Sequence, residues 1–82
     1  MSLAPNPAGS FVTISLEPLE EEREVVLEIY NQFGQLVLRK DLGVIGQLND
    51  RIDLHKFNAG VYYVSLMVGG ERFEQRLLVN KG

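Results

Sequence analysis

Gly60-Val61-Tyr62-Tyr63-Val64-Ser65-Leu66-Met67-Val68-Gly69-Gly70-Glu71-Arg72-Phe73-Glu74-Gln75-Arg76-Leu77-Leu78-Val79 is the stretch that decides the fold class. In its first half Tyr62, Val64, Leu66 and Val68 alternate with Tyr63, Ser65 and Met67. In its second half Phe73, Leu77 and Val79 share a parity. A period of two marks a strand with one buried face, because successive side chains of an extended chain point to opposite sides. Gly69-Gly70 between the halves suits a two-residue primed turn, which needs positive φ. The stretch reads as a β-hairpin.

The same period recurs upstream. Val12, Ile14 and Leu16 alternate with Thr13 and Ser15, and Val25, Leu27 and Ile29 alternate with Val26, Glu28 and Tyr30. Asn31-Gln32-Phe33-Gly34 then joins a second hairpin whose far strand, Gln35 to Lys40, is expected to carry Leu36 and Leu38 on one face. Gly43 and Gly46 are expected to bracket a connection around Val44 and Ile45, and Ile52 and Leu54 flank Asp53 in a short strand. Glu17 to Glu24 holds Pro18 and too few apolar partners for a helix, so it reads as a solvated connection. Ala4 to Ser10, with Pro5 and Pro7, reads as an extended entry. Met1-Ser2-Leu3 is set aside as start residues ahead of one domain over 4–82. Short alternating strands with turn residues between them predict an all-β fold, an immunoglobulin-like antiparallel β-sandwich of about seven strands.

Composition bounds the function. The 82 residues allow one core, and 45% apolar with 23% charged residues is ordinary for a globular domain. A net charge of -3 argues against nucleic acid or anionic lipid as a partner held by bulk charge. The absence of cysteine removes disulfides, thiolate nucleophiles and cysteine-zinc sites. No apolar run is long enough for a spanning helix, and no basic segment followed by a hydrophobic stretch reads as a signal peptide.

A search for chemistry yields no catalytic, cofactor or metal site. His55 is the single histidine; Asp53 shares its strand face and is the one candidate to orient it, but no nucleophile accompanies the pair, so a surface loop histidine is expected. Glu17, Glu20, Glu21, Glu22 and Glu24 lack the spacing and turn glycine of a calcium loop, and Arg23 interrupts them. Tyr62 is expected in the core and Tyr63 on the surface; Tyr30, Tyr63 and Phe33 would make a sugar-stacking platform only if the fold gathered them.

The order of these pieces carries a resemblance. Pro5-Asn6-Pro7-Ala8 opens the domain, Ile29-Tyr30-Asn31-Gln32-Phe33-Gly34-Gln35-Leu36-Val37 and Ile52-Asp53-Leu54 follow, then Asn58-Ala59-Gly60-Val61-Tyr62-Tyr63-Val64, and Arg76-Leu77-Leu78-Val79 closes the chain near its end. This series resembles the C-terminal sorting domain of the type IX secretion system of Bacteroidetes, from Ala4 to Lys81. The resemblance implies motif roles for Pro5, Asn6, Pro7, Gly34, Gly60 and Tyr62: an extended approach into the first strand, tight turns, and a core anchor. It implies a non-catalytic cargo signal on an exported protein of the cell surface or medium. It implies as partners an outer-membrane translocon and its sortase-like protease, which removes the domain while the cargo is anchored or released. Ala4 stands where many members carry a bulky residue, and Arg76 where lysine is common.

Docking is expected on the outward residues of the last two strands, Tyr63, Met67, Arg72 and Arg76, with the terminal Asn80-Lys81-Gly82. An unpaired edge there could be extended by a partner strand or by a second copy, giving an edge-strand homodimer. The alternative is an accessory carbohydrate- or protein-binding module of an extracellular hydrolase or adhesin, which fold alone does not separate.

Overall fold

The computed structural model describes residues 1–81; Gly82, expected in the terminal docking segment, lies outside the described residues. The chain forms β1 (Ser2–Ala4), β2 (Phe11–Leu16), β3 (Arg23–Asn31), β4 (Leu36–Ile45), β5 (Leu48–Asp53), β6 (Gly60–Val68) and β7 (Glu71–Val79). They make two antiparallel sheets, one ordered β1-β2-β5 and the other β4-β3-β6-β7. The all-β sandwich expected from the alternation is the fold observed, and both expected hairpins, β3–β4 and β6–β7, form. Ser2 and Leu3, expected to lie ahead of the domain, join Ala4 in pairing with β2 and bury Leu3 against Ile14.

The facing sides supply one core. Leu3, Val12, Ile14, Ile52 and Leu54 meet Val25, Leu27, Ile29, Val64, Leu66, Leu77 and Val79, all buried. Burying a Val, Leu or Ile side chain is worth about 1.5–3 kcal/mol, so this apolar layer is what offsets the entropy of ordering so short a chain. Tyr62 joins it with its ring tilted against Phe57 at 5.2 Å. Its hydroxyl donates to the Asn58 carbonyl at 2.7 Å, so the polar tip is satisfied at the core's rim.

Strand β4 departs from the expectation in two places. Leu36 and Leu38 do not share a face: Tyr30 pairs with Leu36 and Ile29 with Leu38, so Val37 is an extra residue and the alternation flips across it. Leu38 packs against the core, and Leu36 is 49% exposed on the opposite face. Gly43 is not the start of a connection either. Val25 pairs with Gly43 and Val26 with Asp41, so Leu42 is bulged, and the strand runs on to Ile45. Gly43 takes φ 71 and donates its N–H to Asp41 Oδ1 at 3.1 Å. Glycine in the strand marked a bulge, and a bulge reads in sequence like a turn.

The β3–β4 turn is built by Asn31. Its Oδ1 accepts the N–H groups of Phe33 (2.9 Å) and Gln35 (3.0 Å), while the Gly34 N–H donates to its carbonyl at 3.0 Å. Gly34 sits at φ 80, where a side chain is disfavoured.

The two seams of the sandwich close differently. Lys40 on β4 pairs with buried Leu27 and Asp50 on β5 with buried Ile14, so both point inward from edge strands and meet across the seam at 2.9 Å. On the other side the Pro5–Ala8 segment crosses from β1 to the edge of β7. Asn6 Nδ2 donates to the Arg76 carbonyl (2.9 Å) and its Oδ1 accepts the Leu78 N–H (3.0 Å). The Ala8 N–H donates to the Leu78 carbonyl and the Asn80 N–H to the Ala8 carbonyl, each at 2.8 Å. The Pro-Asn-Pro segment is thus a clasp on the closing strand and a bridge between β1 and β2, where a simple extended entry was expected. Flanking prolines carry no N–H, and the side-chain amide of Asn6 supplies the donor and acceptor of a strand residue in their place.

Candidate functional site

Residues directly opposite in neighbouring strands point to the same face. On the outer face of the four-stranded sheet the register therefore lays out three rows. Leu36, Tyr30, Tyr63 and Arg76 form the first; Arg39, Glu28, Ser65 and Glu74 the second; Asp41, Val26, Met67 and Arg72 the third. The core-facing parity of β3, β6 and β7 leaves these residues outside, and the flip at Val37 brings Leu36 to them.

Four of the expected docking residues lie here together. Tyr63 is directly opposite Arg76 and Met67 opposite Arg72. Tyr63 is 36% and Met67 39% exposed, and Leu78 opposite Val61 extends the apolar part of the face. Lys81 is elsewhere: its ammonium donates to the carbonyls of Leu54 (2.6 Å) and His55 (3.3 Å), tying the end of the described chain to the loop after β5.

The middle row is polar and is tied to both neighbouring rows. Tyr30 donates its hydroxyl to Glu28 Oε1 at 3.1 Å, and Arg39 approaches the other oxygen at 3.8 Å. That bond to Glu28, then burial and the repulsion of the Glu28 charge, push the Tyr30 phenol up from its ordinary value, against a smaller pull from Arg72. Ser65 is buried beneath the guanidinium of Arg72, whose Nε donates to its Oγ at 3.0 Å. The same guanidinium lies 3.3 Å from Glu74. Arg76 makes no ion pair among the described residues.

Tyr30, Tyr63, Gln32, Gly34, Arg72 and Glu74 line a shallow groove of about 280 Å³ across this face. Two of the three platform aromatics adjoin in it. Phe33 does not: it is 78% exposed at the hairpin tip. Sequence reasoning placed Tyr63, Met67, Arg72 and Arg76 correctly by parity, and it missed Leu36 because a bulge leaves no signal in an alternating apolar run.

The remaining candidates are dispersed. His55 lies in an exposed turn, and Asp53 Oδ1 accepts its backbone N–H at 2.8 Å, so the carboxylate shapes the loop and does not orient the imidazole. Within the acidic run Glu21 pairs with Arg23 at 2.7 Å, and that hydrogen bond and charge hold its carboxyl below the usual range. Among the described residues no three His, Cys, Asp or Glu side chains gather as metal ligands, and no helix is long and apolar enough to cross a membrane.

The structure is a small β-sandwich with a clasped closing strand and an outer face that mixes apolar residues with arginines and carboxylates. In comparison with protein families, residues 2–80 match the secretion system C-terminal sorting domain. The chain belongs to that family, the sorting signal of type IX secretion, whose members are parts of exported proteins that end at the cell surface or in the medium. It therefore engages the secretion machinery. No curated protein and no solved structure shows a significant match.

Proposed function

We propose that the domain is presented to the outer-membrane translocon by the outer face of its four-stranded sheet, with Tyr63, Met67, Arg72 and Arg76 as the contact set. A sortase-like protease of that machinery then removes the domain, and the cargo is anchored or released. In this reading the domain is a signal and not an enzyme; the hydrolytic groups belong to the protease. The observation that carries it is the gathering of all four residues on one face, with Arg76, which has no ion pair among the described residues, beside the exposed ring of Tyr63. Interfaces favour such pairings of tyrosine, methionine and arginine. Two copies meeting edge to edge would give a homodimer by the same backbone chemistry.

The test is a fusion of residues 2–82 behind a signal peptide and a fluorescent reporter, expressed in hosts with and without the type IX translocon. Translocon-dependent reporter outside the cell, free of the domain, is expected. Equal periplasmic retention in both hosts would refute the sorting role. Loss of export in the Tyr63→Ala and Arg76→Ala variants, both still folded, would place the contact on this face.

A further inference from the structure

A sandwich of two open sheets has four strand edges, and in this chain three and a half of them are guarded. β4 and β5 carry the inward-pointing pair Lys40 and Asp50, which lock to each other across the seam. β1 is three residues long. The last part of β7 is covered by Asn6 and Ala8. Among the described residues the first part of β7 has no such cover.

The polarity of that open part follows from the clasp. Leu78 offers both its N–H and its carbonyl to the Pro5–Ala8 segment, and Arg76 offers its carbonyl. Pairing of β7 with β6 runs without a register shift from Glu71 to Val79, so even-numbered residues throughout present their backbone groups away from β6. Both backbone groups of Arg72 and Glu74 and the N–H of Arg76 therefore face outward. On the outer side this edge bears Arg72, Glu74 and Arg76; on the inner side it bears half-buried Phe73 and Gln75.

We propose that the open half of β7, Arg72–Gln75, is the recognition edge of this signal, and that an extended acidic segment of the receiving protein adds there as a fifth strand. The proposal rests on the reading of the domain as a signal docked by the export machinery. The same edge already takes an added chain, because Ala8 pairs with Val79 in strand fashion, and the partner continues that line. Charge selects the occupant. Its residues opposite Arg72 and Arg76 are acidic, and the one opposite Glu74 is neutral or basic. Its intervening residues are apolar, beside Phe73. Asn6 sets the boundary, since a longer strand would collide with the clasp.

Glu74→Pro is the diagnostic variant. Proline is tolerated at an edge position whose N–H faces solvent, yet its ring blocks an incoming strand. Glu74→Ala leaves the edge open. Amide shifts of the purified domain are followed during titration with the palindromic peptide acetyl-Glu-Val-Thr-Val-Glu-amide up to about 5 mM. Saturable shifts at the Arg72 and Glu74 amides are expected. They should survive Glu74→Ala, vanish with Glu74→Pro and weaken at least about tenfold with Arg72→Glu/Arg76→Glu. No saturable shift, or shifts on β4 and β5 alone, overturns the proposal. In the export assay a folded Glu74→Pro fusion should lose secretion by at least about tenfold, and wild-type secretion by that variant would likewise overturn it. A wild-type dimer in sedimentation that Glu74→Pro abolishes, without peptide binding, would make a second copy the occupant and reject the acidic partner. Failure of the wild-type fusion to export counts against the sorting reading, while the peptide titration judges the edge separately.

Discussion

Replacing Asn6 by alanine removes the two side-chain hydrogen bonds that hold the clasp, at 2.9 Å to the Arg76 carbonyl and 3.0 Å from the Leu78 N–H. Each ordinary protein hydrogen bond contributes about 0.5–1.5 kcal/mol net. Both groups lie at the surface, where water replaces part of the loss, so the expected cost is about 1–2 kcal/mol. For a domain of this size that lowers Tm by roughly 5–12 °C. Asn6→Asp should do no better: it keeps an acceptor for Leu78 but turns a carboxylate oxygen on the Arg76 carbonyl. Urea unfolding should show a lower midpoint with unchanged slope. Hydrogen exchange supplies the internal control. The Leu78 amide, which faces the clasp, should exchange faster in the variant by about tenfold or more, whereas the Leu77 amide, facing β6, should change only as the global stability does. An Asn6→Ala protein within about 0.3 kcal/mol of wild type, with Leu78 exchange unchanged, would refute the clasp as a stabilising element.

Three further outcomes are expected. Tyr62→Phe keeps the buried ring but frees the Asn58 carbonyl from its 2.7 Å bond, costing about 1 kcal/mol by urea unfolding, while Tyr62→Ala costs about 3–5 kcal/mol. At Gly34, φ 80 with open space around the absent Cβ makes backbone strain the sole penalty; Gly34→Ala should cost about 1 kcal/mol and Gly34→Asn less in thermal melts, and equal losses would contradict that assignment. The Tyr30 phenol should ionise above its ordinary value in an ultraviolet titration, and Glu28→Gln should lower that midpoint. Because the neutral phenol is the bonded form, its stabilisation is complete below the unfolded-state pKa and is lost as pH rises through the folded one.

Legibility in the sequence followed the strength of the local signal. The hairpin of β6 and β7 was readable because nine successive residues of β6 keep one parity and Gly69-Gly70 closes the pair without an insertion. Parity alone sent Tyr63, Met67, Arg72 and Arg76 outward, and it put Tyr62 inside. The sequence of β4 misled because each bulge shifts the parity by one, and an alternating run is blind to where the extra residue sits. Leu36 could not be assigned to the outer face without its pairing to Tyr30.

Periodicity is a property of the chain, so the buried faces of β2, β3, β6 and β7 and the two hairpins were determined by the residues themselves. Which edges remain open is a property of pairs distant in sequence. Asn6 bonds to residues 70 and 72 positions away, and Lys40 meets Asp50 across a seam that exists only when two sheets stack. Those contacts arise from closure of the sandwich, and no local pattern encodes them. The tertiary structure alone decided that Lys81 is tied to the loop after β5 and that the open edge begins at Arg72 and stops at the clasp.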